Sequence, residues 1–382
     1  MRLKEQTASG RMYYLDVARV IAVLAISVNH AVNRSYANYS GQMAEFLSIP
    51  LWSTILKTVV TIFSKLGVPL FMMITGILIL NKKMETSADI KKFYKRNLLG
   101  LLITVEIWYA LMYWYCILVG DHGWVLEKRG IGGAIVGMFE TMLFQNQITF
   151  DSMWYMPVIM CIYTTLPLVV IAKDKLSESK FSAVVFLPLM VVFLNNMVRP
   201  VVNTVLTIQG AETYSSALQM VDLMPYFYIY ILLGYFVGRG AFAKCRTWLV
   251  ASVAVLSFGL CCGFQFYVYS QPLNYVVDYN FPLLPVCAAA LMELARRGAY
   301  RLKALEKPVT YISRISFAIY LLHIVVMTTL LRPRMAEVFH YSAWNPAVKL
   351  VFLEVASVGI SIALIAALSQ VKVLRKYLFM IK

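Results

Sequence analysis

Residues 13–33 read YYLDVARVIAVLAISVNHAVN. The run is mostly apolar, lacks the strict alternation of a half-buried strand, and is long enough as a helix to cross a hydrocarbon core about 30 Å thick. Lipid offers the backbone no hydrogen-bond partner, so a spanning segment must pair its amides internally, as a helix does. The run therefore predicts a transmembrane helix.

Runs of the same kind recur along the whole chain of 382 residues. The composition is 60% hydrophobic and 14% charged, with a mean hydropathy of +0.70, which leaves too little polar surface for a water-soluble globule. No polar stretch is long enough for a separate soluble domain, so we expect residues 1–382 to form one integral membrane domain. We predict an all-α polytopic membrane helical bundle with about ten transmembrane helices, at residues 13–33, 58–80, 97–119, 154–172, 181–198, 222–238, 247–270, 275–295, 309–331 and 346–370.

The formal charge of +16 comes from cations that lie mostly between the apolar runs. If the N-terminus is inside, the segments on that side carry 24 Lys and Arg residues, and the opposite side carries 8. Cytoplasmic loops are enriched in Lys and Arg, so we expect both termini in the cytoplasm and no nucleic-acid partner. The six cysteines show no Cys-x-x-Cys or Cys-and-His spacing, and we expect neither a metal site nor a disulfide framework.

Three ionisable residues stand inside the first apolar run. Ionisable side chains at membrane depth cost several kcal/mol unless they meet water, a partner or a ligand. Arg19 and His30 fall about 20° apart on the helix and about 16 Å apart along its axis, with Asp16 one turn from Arg19. The stripe predicts a polar passage in which the imidazole of His30 can take up a proton. The alternative is an Asp16–Arg19 ion pair with His30 as an interfacial cap.

Other ionisable residues lie in later runs and are weaker candidates. Glu106 and His323 fall well inside their predicted spans, where His323 is equally suited to a hydrogen bond within the bundle or to a site. Lys65 and Glu354 could simply pair within the bundle. Glu293, near a cytoplasmic boundary, could reach water by snorkelling, as could Arg314.

The chain resembles the acyltransferase-3 family of bacterial membrane acyltransferases. The first span of that family carries an Asp-containing start and an Arg followed after ten residues by His, here LDVARVIAVLAISVNH (15–30). Further segments resemble the family in the expected order: VPLFMMITGILIL (68–80), KKFYKRNLLGLL (91–102), MWYMPVIMCIYTTLPLV (153–169), PYFYIYILLGYFVGR (225–239) and ISFAIYLLH (315–323).

The resemblance implies acyl transfer, with acetyl the expected group, from cytoplasmic acyl-coenzyme A to a hydroxyl or amine of a carbohydrate or cell-envelope acceptor across the bacterial cytoplasmic membrane. His30 is the expected catalytic base, Arg19 serves both catalysis and donor binding, and direct transfer is favoured over an acyl-enzyme. The family usually has a second arginine and a proline near Arg96. This chain lacks both, so Lys92 and Lys95 are expected to share the coenzyme A phosphates. Acyl-coenzyme A is a co-substrate, with no permanently bound cofactor expected, and the substrate-pathway candidates are Asp16, Glu106, Trp154, Tyr320 and His323.

Two other functions fit a polar-lined helical bundle. A transporter or flippase for a sugar or small polar substrate would use the same polar residues as a pathway, but it would not require a histidine at position 30. A non-catalytic membrane partner in polysaccharide synthesis is the third possibility.

Overall fold

A computed structural model describes residues 12–37, 41–120, 122–145, 150–212, 226–273, 275–298 and 304–381. Within these ranges the chain is helical and has no extended strand. The sixteen α-helices there are α1 Tyr13–Ser35, α2 Gln42–Ser48, α3 Leu51–Ser64, α4 Gly67–Ile79, α5 Ser87–Phe93, α6 Leu99–Leu118, α7 Trp124–Met142, α8 Tyr155–Lys175, α9 Glu178–Phe181, α10 Leu187–Ile208, α11 Tyr226–Gly238, α12 Thr247–Tyr269, α13 Leu283–Gly298, α14 Glu306–Leu330, α15 Pro333–Phe339 and α16 Pro346–Leu368.

The predicted all-α polytopic membrane fold is confirmed. In the described part of the chain, seven helical stretches are long and apolar enough to cross a membrane: Tyr13–Ser35, Leu51–Ile79, Ser87–Leu118, Ser152–Lys175, Thr247–Tyr269, Glu306–Leu330 and Pro346–Leu368. The other three predicted spans coincide with α10, α11 and α13, of 22, 13 and 16 residues. Residues 222–225, where the predicted sixth span begins, lie outside the described residues. The count of ten and the cytoplasmic termini stay predictions.

The predicted second span contains a break that the hydropathy did not show. Helices α3 and α4 are separated at Lys65 and Leu66. In an uninterrupted helix the amide of residue 69 would donate to the carbonyl of Lys65, but Pro69 has no amide hydrogen. The chain turns instead through a tighter bond from the Leu66 amide to the Phe63 carbonyl, 3.0 Å long.

The predicted span at 275–295 was placed too early. Residues 275–282 are not helical, and α13 begins at Leu283. The side chain of Gln265 holds this non-helical backbone, since its amide donates to the Tyr275 carbonyl (3.1 Å) and its oxygen accepts from the Val277 amide (2.6 Å). The hydroxyl of Tyr230 donates to the Tyr279 carbonyl at 2.7 Å. Non-helical backbone within a membrane protein requires such internal partners.

The chain divides into two compact units. Unit 1 consists of Met1–Lys82, Ala172–Ser316 and Phe339–Val355, and unit 2 of Lys83–Ile171, Phe317–Val338 and Ala356–Lys382. In unit 1, α1 packs against α3, α4 and α13, and α4 packs against α11. Glycines allow the closest approach. A Cβ on Gly76 would lie 1.9 Å from the Ile231 carbonyl oxygen, and one on Gly234 would lie 2.2 Å from that of Met73. Small residues at such positions let membrane helices pack backbone to backbone.

Unit 2 is organised around α6. The indole of Trp108 donates to the Leu378 carbonyl (2.7 Å), which fixes the C-terminal segment against α6. The hydroxyl of Tyr109 donates to the Met153 carbonyl (3.0 Å) and ties α6 to the turn before α8. Gly137 of α7 makes room for the ring of Tyr113. These contacts position the polar residues of the unit.

Candidate active site

The polar stripe predicted on the first span is present on α1. Asp16, Arg19 and His30 all belong to this one regular helix of 23 residues. Asp16 and His30 are buried, at 1% and 8% exposure, while the side chain of Arg19 remains 26% exposed. A cation, a buried carboxylate and a buried imidazole are therefore held on a rigid element of unit 1.

Asp16 connects Arg19 to a second helix. Its Oδ1 atom accepts a hydrogen bond from Arg19 Nη1 at 3.3 Å and one from the Ser313 hydroxyl of α14 at 2.6 Å. The predicted Asp16–Arg19 pair is therefore real. Ser313, which sequence reasoning did not single out, fixes the carboxylate, and the carboxylate orients the guanidinium.

His30 lies in a part of α1 that is held by neighbouring helices. On the preceding residue, the amide oxygen of Asn29 accepts from the Ser64 hydroxyl at 3.0 Å. The carboxyl of Glu354 in α16 lies near Ser27 of α1. Lys65 pairs with Asp278 at 3.3 Å. Lys65 therefore pairs within the bundle, as expected, and its partner Asp278 comes from the non-helical segment before α13.

A buried lysine of α3 binds residues that lie just beyond the end of α1. Lys57 is 2% exposed and donates to Glu45 Oε2 at 2.8 Å and to the carbonyl of Ala37, with its ammonium 4.0 Å from the ring centre of Tyr269. Tyr36 shares a 3.0 Å hydrogen bond with Ser53. Burial raises the pKa of Tyr36, so its hydroxyl stays protonated at neutral pH.

The predicted donor-binding cations form a basic segment in unit 2. Lys92 belongs to α5, and Lys95 and Arg96 belong to the π-helical turn Tyr94–Leu98, and all three are exposed. The ring of Phe93 stacks on Tyr163, and the hydroxyl of Tyr94 donates to the Thr164 carbonyl at 2.8 Å, so α8 holds the segment. A cleft of ≈ 570 Å³ is lined by Lys95 together with Lys91, which the sequence reasoning did not list as a ligand.

The remaining candidates also lie in unit 2. Tyr320 is 5% exposed, donates to the Ser152 carbonyl, and touches the rings of Tyr155 and His323. His323 is fully buried, and its Nδ1 must carry the hydrogen because it lies 3.0 Å from the Ile319 carbonyl, which only accepts. The predicted bundle hydrogen bond of His323 is thus present, and Nε2 is left as the basic nitrogen.

Trp154 and Glu106 complete the predicted set. Trp154 ends a 3-10 turn before α8, where its ring meets Tyr155 edge to face. Glu106 lies in the middle of α6, and its Oε2 is buried without a hydrogen-bond partner among the described residues. No group of three His, Cys, Asp or Glu side chains in those same ranges has the geometry for a metal ion.

Helical spans, buried ionisable side chains and an exposed basic segment together define a multi-pass membrane protein with an internal polar site. A family model described as an acyltransferase domain, of the acyltransferase-3 type, matches residues 12–366. The chain belongs to this family and is a membrane acyltransferase. No curated protein and no solved structure matches it.

Proposed function

We propose that the protein transfers an acyl group, with acetyl the expected one, from cytoplasmic acyl-coenzyme A to a hydroxyl or amine of an extracytoplasmic carbohydrate or other cell-envelope acceptor. The proposed location is the bacterial cytoplasmic membrane. The observation that carries the proposal is a hydrogen-bonded chain in which Ser313 of α14 holds Asp16 and Asp16 holds Arg19. Asp16 and Arg19 lie on α1, the helix that also carries His30.

Arg19 is suited to a phosphate of the donor. Its Cα lies about 9 Å along the axis from the start of α1, on the predicted cytoplasmic side, and a quarter of its side-chain surface is exposed. A guanidinium oriented by a carboxylate presents a planar fork that matches phosphate oxygens. Lys92, Lys95 and Arg96 supply exposed positive charge that attracts the same polyanion.

His30 is suited to the chemical step. It lies about 26 Å along the axis from the start of α1, so the thin pantetheine arm would extend from the Arg19 region toward it. The imidazole takes the proton of the acceptor hydroxyl while the acceptor oxygen bonds to the thioester carbon. The carbon–sulfur bond then breaks, and the proton passes to the departing thiolate.

His30→Ala tests this function. The purified protein in lipid is given labelled acetyl-coenzyme A and surface glycans isolated from cells that lack the gene. We expect transfer to fall about 10²–10⁴-fold, the range for loss of a general base, while acetyl-coenzyme A still binds. Arg19→Ala should instead clearly weaken the binding of acetyl-coenzyme A.

His30→Gln is the matched variant because it keeps a hydrogen-bonding side chain but has no useful basicity. It should be nearly as inactive as His30→Ala. Full transfer by both His30 variants would reject the catalytic role and leave His30 as a cap of the first span.

A further inference from the structure

Ser152 carries a buried hydroxyl that makes no hydrogen bond to any of the described residues. Its side chain is 2% exposed, and its Oγ has no hydrogen-bond partner among the residues that the structure describes. Buried hydroxyls in folded proteins are nearly always paired, since an unpaired one is destabilising. A buried hydroxyl without a partner therefore marks a place where another molecule completes the hydrogen bonding.

The backbone around Ser152 is fixed, so the hydroxyl is held in place. The carbonyl of Ser152 accepts from the Tyr320 hydroxyl, and the next carbonyl, of Met153, accepts from Tyr109 at 3.0 Å. Met153 is itself 1% exposed. Two tyrosines from different helices thus occupy the carbonyls of this turn and leave the serine hydroxyl available.

A carboxylate lies on the same side of α6 as Tyr109. Glu106 is one helical turn before Tyr109 and close enough to interact with it electrostatically. Its Oε2 is buried and lacks a hydrogen-bond partner in the described part of the chain. Tyr109 therefore links the two groups in unit 2: Glu106 precedes it by one turn of α6, and the Tyr109 hydroxyl donates to the carbonyl of the residue after Ser152.

We propose that Ser152 and Glu106 bind the hydroxyl groups of a carbohydrate acceptor in unit 2. The carboxylate accepts from sugar hydroxyls, and the serine hydroxyl both donates and accepts. The indole of Trp154, at the end of the same turn, is only partly buried and offers an aromatic surface of the kind that suits sugar C–H faces. This proposal rests on the proposed function and adds the residues that recognise its acceptor.

The pairing favours a polyol over the thioester of the donor. A thioester carbonyl can accept a hydrogen bond from Ser152, but it has no hydrogen to give to Glu106. A sugar has several hydroxyls and satisfies both groups at once. Polar sites of this kind discriminate strongly, because a substrate without the hydroxyl leaves buried protein groups unpaired.

The test compares two buried serines of unit 2. Ser361 is fully buried and its hydroxyl donates to the Ser357 carbonyl at 2.6 Å, so Ser361→Ala removes a satisfied hydroxyl. Full-length variants are expressed in host cells that lack the chromosomal gene, and the acyl mass on surface glycans is measured. Purified variants in lipid nanodiscs give the unfolding temperature and the affinity for acetyl-coenzyme A.

We expect Ser152→Ala to lower glycan acylation by about tenfold or more. Its unfolding temperature should be unchanged or higher, because an unpaired buried hydroxyl has been removed, and its acetyl-coenzyme A affinity should not change. Ser152→Thr should retain part of the activity, and Glu106→Gln should lose acylation in the same way as Ser152→Ala. Ser361→Ala should lower the unfolding temperature and keep acylation within about twofold of wild type.

The outcomes separate the two proposals. Wild-type protein that restores no acyl mass would reject the proposed function, and this inference with it. Wild-type protein that restores acylation while Ser152→Ala does so equally well would reject the acceptor site alone. A parallel loss of unfolding temperature and acetyl-coenzyme A affinity in Ser152→Ala would also reject it, because the serine would then be structural.

Discussion

Unit 1 contains two clusters in which a buried carboxylate meets an arginine three residues later on the same helix, and they differ in how exposed the arginine is. Glu293 of α13 is fully buried and is held by both Arg296 (2.7 Å to each oxygen) and Arg297 (2.5 Å). Arg297 also donates to the carbonyls of Phe242 and Cys245. Asp16 of α1 is equally buried, yet its contact with Arg19 is longer, at 3.3 Å.

The difference suits the Glu293 cluster to a structural role and the Asp16 cluster to the proposed binding of the donor. In the Glu293 cluster the arginines are 13% and 16% exposed, and the donors of Arg297 join α13 to the turn before α12. In the Asp16 cluster the side chain of Arg19 is 26% exposed, and the Ser313 hydroxyl donates to the carboxylate. A guanidinium that donates to backbone carbonyls stabilises the fold, whereas one that is oriented and exposed can bind a phosphate.

Glu293→Ala should have the largest effect on the fold. Removing the carboxylate leaves two poorly exposed guanidinium groups without their counter-charge, which costs about 3–5 kcal/mol. We expect a large fall in the unfolding temperature of the purified protein in detergent. Glu85→Ala is the control, because Glu85 pairs with Lys83 while 66% exposed, and such surface pairs contribute little. Similar unfolding temperatures for the two variants would show that the Glu293 cluster is not a structural lock.

Arg19→Lys should have a smaller effect, and one confined to binding. An ammonium keeps the charge but loses the planar fork, so we expect the affinity for acetyl-coenzyme A to fall about 10–100-fold, or about 1.5–3 kcal/mol. Isothermal titration on the protein in nanodiscs measures this affinity. Arg296→Lys should instead lower the unfolding temperature and leave the affinity unchanged. An equal affinity loss in both variants would remove the distinction between the two clusters.

The sequence predicts the membrane fold because apolar length and cation placement are properties of single segments. Each of the ten predicted spans overlaps a helix in the described residues, including the short α11 and α13. The errors arise where a distant side chain overrides the local pattern. Gln265 and Tyr230 bind the non-helical backbone of residues 275–282, which hydropathy alone predicts as part of a helix.

The site is predictable only where its residues share one helix. The alignment of Asp16, Arg19 and His30 follows from helical geometry, and the structure confirms that all three lie on α1. Ser313 could not be found this way, because it reaches Asp16 from 297 positions along the chain. Glu293 was expected to snorkel, and that prediction is wrong, since two arginines on its own helix neutralise it in place.

Ser313→Ala should have the smallest effect, and it tests how Asp16 orients Arg19. The variant removes a 2.6 Å hydrogen bond to a buried carboxylate that retains its contact with Arg19, so we expect a loss of about 1 kcal/mol in stability. The affinity for acetyl-coenzyme A should fall about threefold, because a less constrained Asp16 orients the guanidinium less firmly. Ser316, one turn along α14 and equally buried, donates only to the Ser313 carbonyl among the contacts described, at 3.0 Å. Ser316→Ala should therefore leave the affinity unchanged. If the two serine variants bind acetyl-coenzyme A equally well, Ser313 does not act through Asp16, and the greater accessibility of Arg19 must then account for donor binding without help from α14.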